Sequence, residues 1–287
     1  MTATWALTDD PFQFAAQAAP LLAARLEHNL LATIAADVRG SSSRGPVLFA
    51  VACDGDGEPR AAALRTPPWP LLVIGTDEVP VEPLLEPWLE RDAPLPGVGG
   101  PADSSRAVAD AYLSLTGAES KLAMREAMQS LEHVSALERP PRGRLREAAM
   151  HEVGLLIEWE RAFRAEAGVT GGDPEPAVRA RMERGAAFIW DDEGPVCTVG
   201  RARTYAAVAR VGPVYTPPEH RRRGYGSAAV AAVAQRALDG DADRCMLLSD
   251  LANPTASGVY HRLGFRQFAE WHDYAFMGSG APLPLQP

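Results

Sequence analysis

The segment His220–Val230, HRRRGYGSAAV, restricts the possible fold more than any other part of this sequence. It follows an apolar, β-type run that ends at Thr216, and it continues into an alanine-rich stretch of good helix formers. Gly224 and Gly226 allow a backbone path that other side chains would block. A strand, a glycine-rich turn and a helix start bring unpaired amides and the positive end of a helix dipole together. With three arginines beside it, the segment predicts a binding site for an anion such as phosphate.

This turn differs from the two commonest phosphate-binding patterns. A P-loop needs a lysine that is absent here, and a dinucleotide-binding turn needs a third glycine early in a βαβ unit. An arginine-rich helix start without a ligand is the simpler interpretation. The preceding strand favours a ligand, because Gly212 and Pro213 interrupt it. Such a pair predicts a bulge that turns backbone groups away from the ladder and towards a bound molecule.

Composition excludes several classes of function. The chain has 287 residues and a net charge of −9, which argues against a general nucleic-acid binder and is compatible with a cationic or amine substrate. Three distant cysteines, Cys53, Cys197 and Cys245, form no disulfide framework and suit a reducing compartment. The first residues lack a secretory pattern and no apolar run could span a membrane, so we expect a cytoplasmic protein. Histidines and cysteines lack metal-ligand spacing, and no metal is predicted.

The chain divides most readily at the Pro- and Arg-rich stretch Glu138–Gly143, which predicts domains at 1–138 and 143–287. In the first domain the patterns predict a helix over 21–34, strands at 47–53, 60–65 and 71–74, and helices near 81–90 and 104–115. In the second they predict strands at 145–148, 187–190, 196–200, 206–216 and 245–249, helices at 151–167, 175–184, 226–238 and 254–263, and a strand pair after Phe265. The similar order of elements makes an internal duplication plausible.

A second motif follows the glycine-rich turn. It consists of Asn253, then Tyr260, then Leu263-Gly264-Phe265. Together with the pattern Arg221-x-x-Gly224-x-Gly226, it resembles the GNAT superfamily of N-acetyltransferases over about residues 143–276. The resemblance implies an α/β (α+β) fold in which helices flank a mixed, mostly antiparallel central sheet. Because the first half of the chain has a similar order of elements, we expect two such domains in tandem.

The resemblance also implies a cosubstrate, acetyl-CoA, and assigns residues to it. The strand end would pair with the pantetheine arm, the turn would hold the pyrophosphate, and Asn253 would bond the pantetheine or position the next helix. Tyr260 would act as general acid near the sulfur, although it could equally be a packed aromatic residue. The cofactor-binding residues expected on this basis are Val214, Tyr215, Thr216, Arg221, Arg222, Arg223, Gly224, Tyr225, Gly226, Ser227 and Asn253.

The expected function is acetyl transfer to a primary amine of a small molecule or peptide in a direct ternary complex. A non-catalytic acyl-CoA sensor and a longer-chain or aminoacyl transferase stay open as alternatives, and a homodimer stays open as the assembly. The general base is a water relay or one of four carboxylates: Asp250, Glu147, Glu152 and Glu158. The glycine-rich stretch nearest to a phosphate loop in the first half, Leu95–Pro101, has no arginine beside it. We therefore expect that half to have lost cofactor binding and to shape the acceptor site, to form an interface or to act as a stabilising cap.

Overall fold

The structure, a computed structural model, describes residues 3–39, 47–169 and 172–278. In its first part the elements are β1 (Thr4–Thr8), α1 (Pro11–Ala24), α2 (Asn29–Arg39), β2 (Leu48–Cys53), β3 (Pro59–Arg65), β4 (Leu71–Ile74), α3 (Glu82–Leu89), β5 (Gly97–Pro101), α4 (Ala102–Thr116) and β6 (Glu119–Leu131). They continue with β7 (Arg144–Glu147), α5 (Val153–Glu166), α6 (Glu175–Glu183), β8 (Ala187–Asp191), β9 (Pro195–Arg201), β10 (Val208–Tyr215), α7 (Tyr225–Leu238), β11 (Arg244–Asp250), α8 (Pro254–Leu263) and β12 (Arg266–Met277).

The chain forms two compact units. One unit contains the residues up to Ala127 together with those from Ala269 onward, and the other runs from Met128 to Phe268. Strand β6 therefore begins in the first unit and ends in the second, whereas β12 begins in the second and ends in the first. Whether 1–138 and 143–287 are independent folding domains stays a prediction.

The first unit is built on a meander. Strands β1 to β4 pair antiparallel in order, β4 lies parallel to β5, and β12 pairs antiparallel with β5. A turn at Asp54 joins β2 and β3, and its carboxylate accepts hydrogen bonds from the amides of Asp56 and Glu58. One face of this sheet packs with α3 and α4 into a core that includes Trp88, Val98, Tyr112 and Phe276.

The second unit has the same arrangement. Strands β7 to β10 pair antiparallel in order, and β10 lies parallel to β11. Helix α7 packs its alanine and valine side chains onto one face of the sheet, because small residues let the helix approach closely. Both units thus follow the order β-α-α-β-β-β-α-β-α-β with a parallel fourth and fifth strand, and the predicted fold class with tandem organisation is confirmed.

Two predictions about individual elements were wrong. The helix expected over 21–34 is divided between α1 and α2, because Arg25 adopts an extended conformation with φ −138° and ψ 147°. The strand pair expected after Phe265 is one long strand, β12. The stretch Leu95–Pro101, for which no element was predicted, contains strand β5 over Gly97–Pro101.

Close packing explains why β5 contains glycines. A Cβ atom on Gly99 would lie 2.2 Å from a carboxylate oxygen of Asp273, and one on Gly100 would lie 2.6 Å from the carbonyl oxygen of Val73. Neighbouring strands therefore approach so closely that only glycine fits. This is why a sequence poor in β-formers still forms a strand here.

Candidate cofactor-binding site

The parallel pair at the centre of the second unit separates after three residues. Val208, Ala209 and Arg210 of β10 pair with residues 244–246 of β11, but β10 continues to Tyr215 and β11 to Asp250. On its other side β10 stays paired with β9. The edge of β10 that faces β11 is thus open beyond Arg210, and its backbone groups are available to an extended ligand.

The predicted bulge lies in this open stretch. The register of β10 against β9 shifts between Val211 and Val214, so that Gly212 and Pro213 stand opposite a single residue. Gly212 has a φ of 139°, a conformation that favours glycine. The bulge bends the strand where it leaves its parallel partner.

The turn after β10 leads into α7 and contains two residues in the left-handed backbone conformation. Arg222 has a φ of 62° and Gly224, the N-cap, a φ of 85°. The amide of Ala228 donates to the carbonyl of Gly224 at 3.0 Å. The amides between these two residues come too early to have an acceptor within the helix, so they lie at the positive end of its dipole.

Gly226 sits where this helix start meets the end of β10. A Cβ atom there would lie 3.5 Å from Thr216 Oγ1 and 4.0 Å from Val214 Cγ1, which are ordinary contacts. The protein itself therefore has room for a Cβ atom at this position, between the helix start and the strand end.

The arginines of the turn have different environments. Arg221 pairs with Glu166 at 2.7 Å, and Arg223 interacts with Tyr225. Arg222 is exposed, and within the described ranges no ion pair of its side chain occurs. The hydroxyl of Tyr225 donates to Asp192 at 2.6 Å, and this hydrogen bond raises the pKa of Tyr225.

Tyr260 lies on α8, and its ring meets that of Phe265 edge-on at 6.0 Å. Burial raises the pKa of Tyr260 to about 12, and the thiol of Cys197 adds to the shift. Cys197 is fully buried on β9, and its side chain hydrogen-bonds with that of Thr216. Tyr260 and the strand end thus share Cys197 as a neighbour, and the tyrosine keeps its proton at any pH near neutrality.

Asn253 precedes α8 and is exposed. Its amide donates to the carbonyl of Asp250 at 3.0 Å, and its own carbonyl accepts from the amide of Ser257 at 3.3 Å. The residue therefore links the end of β11 to the first turn of α8.

The four candidate bases have different environments. Glu152 binds Arg146 through both oxygens at 2.7 Å, and this contact lowers the pKa of Glu152. Glu147 is paired with Arg236, and Glu158 is an exposed residue of α5. Asp250 lies at the end of β11, where the parallel strands have separated, and one of its oxygens accepts the amide of Ala252 at 2.8 Å.

Comparison with known proteins agrees with this geometry. A family model described as FR47-like protein matches residues 201–274. An acetyltransferase of the GNAT family from Colwellia psychrerythraea is 11% identical with a TM-score of 0.55, over 95% of this chain and 99% of that one. A tandem GNAT protein from the clavulanic acid biosynthesis pathway is 15% identical with a TM-score of 0.60, over 97% and 100%. The chain has the GNAT fold.

A third GNAT structure, a GCN5-related N-acetyltransferase from Kribbella flavida, is 20% identical with a TM-score of 0.53, over 76% of this chain and 87% of that one. No curated protein matches the sequence. The predicted resemblance to GNAT proteins is confirmed at the level of the fold.

The first GNAT-like unit has a different chemistry at the corresponding turn, which runs from Gly75 to α3. The amide of Gly75 donates to Ser104 Oγ at 3.1 Å, and Ser104 Oγ donates to a carboxylate oxygen of Asp77. Asp77 is followed by Glu78, and α3 opens with Glu82. A turn whose amide is satisfied internally and whose charges are negative is unsuited to phosphate.

The sequence did not indicate every residue around the GNAT site. Cys197, Glu166 and Asp192 carry no motif and come from β9, the end of α5 and the turn after β8. Only the fold brings them to the loop. Among the described residues no group of three or more His, Cys, Asp and Glu could hold a metal, and none of the described helices is long and apolar enough to cross a membrane.

Proposed function

We propose that this protein is a cytoplasmic acetyl-CoA-dependent N-acetyltransferase that acts on a primary amine of a small molecule or peptide. The observation that carries the proposal is the separation of β10 from β11 after Arg210, directly before a bulge and an arginine-rich helix start. An extended, polar arm that ends in a pyrophosphate is the ligand chemistry that suits this combination.

The residues present fit such a ligand. Val214 and Thr216 lie beyond the residues of β10 that pair with β11, and the amides from Arg222 to Ser227 surround the helix start. A Cβ atom on Gly226 would stand between the helix start and the strand end, 3.5 Å from Thr216 Oγ1. Arg222 and Arg223 add positive charge at the same place. The carbonyl of Thr216 is already taken by Arg221, so Thr216 has its amide left to offer.

When bound, acetyl-CoA supplies an activated acetyl group and a thiolate leaving group. The protein has to orient it, exclude water and stabilise the sulfur as negative charge develops there. Tyr260 can serve that last purpose, because a hydroxyl with a pKa of about 12 stays protonated and donates a hydrogen bond. Asp250, at the end of β11, is the carboxylate best placed to take a proton from the amine, directly or through water.

The proposal is tested by measuring CoA release from acetyl-CoA over a panel of small-molecule and peptide amines. Turnover that depends on an amine supports it, and the absence of acetyl-CoA binding by the folded protein would refute it.

A non-catalytic acyl-CoA sensor is the second candidate. It is favoured by the packing of the Tyr260 ring against the core and Phe265, which is also the position of a purely structural aromatic residue. Tight binding of acetyl-CoA without turnover on any amine in the panel would select this candidate.

A further inference from the structure

The first arginine of the loop is held by the protein itself. Arg221 Nε donates to the carbonyl of Thr216 at 2.8 Å. A terminal nitrogen of the same guanidinium donates to both carboxylate oxygens of Glu166, each at 2.7 Å. Glu166 is the last residue of α5, so this side chain ties the end of that helix to the turn that leaves β10.

Tyr215 completes the cluster. Its hydroxyl donates to Glu166 at 3.4 Å, and the guanidinium of Arg221 lies over its ring at 5.6 Å from the centre. Trp159 of α5 packs against the same ring at 6.4 Å. Glu166 raises the pKa of Arg221, and burial followed by the charge of Glu166 raises the pKa of Tyr215. The carboxylate of Glu166 therefore interacts with the guanidinium of Arg221 and with the hydroxyl of Tyr215 at the same time.

The next residue shows why such support matters. Arg222 adopts a φ of 62°, a left-handed conformation that costs a non-glycine residue free energy and persists when the surroundings hold it. Within the turn itself, the amides of His220 and Arg221 donate to the carbonyls of Pro217 and Pro218 at 2.9 and 3.3 Å, and the ring of His220 meets that of Tyr225 edge-on at 6.5 Å. The pair of Glu166 and Arg221 fixes the turn from outside.

We propose that Glu166 is a positioning residue for the cofactor loop. It acts through Arg221, holding the turn so that the following amides and Arg222 are arranged for an anion, and Arg221 itself binds no phosphate. This inference rests on the proposed function only in naming the anion as the pyrophosphate of acetyl-CoA.

Positioning and simple electrostatics predict opposite signs. Glu166 is a negative charge within reach of the loop, and on charge alone its removal strengthens the binding of a polyanion. If Glu166 positions the loop, Glu166→Gln weakens that binding. Arg221→Lys also separates positioning from electrostatics. It keeps the positive charge, but it loses the guanidinium that hydrogen-bonds with Thr216 and Glu166 at the same time.

The experiment measures the Kd of CoA by calorimetry for the full chain and for Glu166→Gln, Arg221→Lys and the double variant. We expect a loss of roughly 1.5- to 5-fold for each single variant, the scale of an exposed ion pair. The double variant should lose no more than either alone, since both remove one interaction. With a turnover substrate, the KM for acetyl-CoA should rise while kcat stays nearly constant.

Glu175→Gln is the matched control. Glu175 pairs with Arg179 on α6 at 2.7 Å, and the side chains are 38% and 46% exposed, compared with 48% and 40% for Glu166 and Arg221. CoA affinity should not change in this variant. Equal or tighter binding by Glu166→Gln, or an equal loss in Glu175→Gln, overturns the proposal.

A second measurement needs no ligand. Hydrogen exchange at the amides of His220 and Arg221 should be faster in Glu166→Gln than in the unchanged protein, because the turn loses its external support. Unchanged exchange overturns the positioning role. A protein that binds no CoA while the variant shows faster exchange refutes the proposed function and leaves the positioning of the turn established.

Discussion

Two single residues carry most of the chemistry that can be tested. Tyr260 and Asp273 are both titratable groups whose pKa is raised by burial, to about 12 and about 7 respectively. They differ in consequence. The tyrosine is neutral under all ordinary conditions, whereas the aspartate changes its charge within the range in which the protein works.

Tyr260→Phe separates an enzyme from a sensor. The substitution removes the hydroxyl and keeps the ring against Phe265, so folding should be preserved. If the hydroxyl assists the leaving sulfur, kcat should fall by roughly 100-fold or more, with little change in acetyl-CoA affinity. Steady-state kinetics with an accepted amine measures this, and Tyr274→Phe in the first unit serves as the control.

The pH dependence adds a second readout for Tyr260. Because its pKa is about 12, no loss of activity should trace to this residue as the pH rises from 7 to 10. Unchanged kcat in Tyr260→Phe would make the tyrosine a packing residue.

Asp273→Asn should alter the pH dependence of stability. The carboxylate is buried, with a hydrogen bond from Trp271 Nε1 at 3.1 Å, and burial raises its pKa from 3.8 to about 7. The folded state therefore binds a proton more readily than the unfolded state between pH 4 and 7, and stability is lost as the pH rises through that window.

The amide in Asp273→Asn has no charge to bury. We therefore expect the variant to gain roughly 4 kcal/mol relative to the unchanged protein at pH 8 and less than about 1 kcal/mol at pH 4. Urea unfolding at the two pH values measures the difference. A constant difference would mean that Asp273 is not the group that titrates.

At the scale of elements, helix α7 and strand β10 meet at two glycines with different roles. Gly226→Val should leave the free energy of unfolding nearly unchanged, since a Cβ atom there meets only ordinary contacts. It should nevertheless weaken acetyl-CoA binding at least tenfold, because we expect the added side chain to cover the surface beside the loop amides. Gly224→Val should destabilise the protein, because its φ of 85° strains any larger residue. Calorimetry and chemical unfolding of both variants distinguish these roles. If Gly226→Val keeps its affinity, the site lies elsewhere.

The elements with strong local signals could be predicted from the sequence. Strand β4 and helix α8 have the predicted bounds, and Gly212 with Pro213 marked the bulge correctly. Strand β5 could not be found, because its glycines are required by contacts with residues distant in sequence, Asp273 for Gly99 and Val73 for Gly100. The break between α1 and α2 at Arg25 contains no glycine, so no local signal in the sequence predicts it.

The candidate site likewise contains residues that local motifs predict and residues that only the fold brings together. The loop from Arg221 to Ser227 and the position of Tyr260 follow from motifs, whereas the partners of these residues depend on the fold. Glu166 and Arg221 are 55 residues apart, and Asp192 and Tyr225 are 33 apart. No local pattern predicts such pairs, since they are chosen by the packing of α5 and of the β8–β9 turn.

At the scale of the whole molecule, one fold occurs twice, and within the described ranges the two copies differ in charge at the turn that follows the strand meander. The second unit offers an open strand edge, free amides and arginines. At the corresponding turn, the first unit offers Asp77, Glu78 and an amide already bonded to Ser104. The C-terminal strand β12 also belongs largely to the first unit, so the full chain is the appropriate sample for any binding study.

The stoichiometry of acetyl-CoA binding to the full chain tests this account most directly. Calorimetry should give one acetyl-CoA per chain, and Gly226→Val should remove most of the affinity. Two equivalent sites per chain would contradict the loss of cofactor binding in the first unit. Folded protein that binds no acetyl-CoA would contradict the assignment of the site itself.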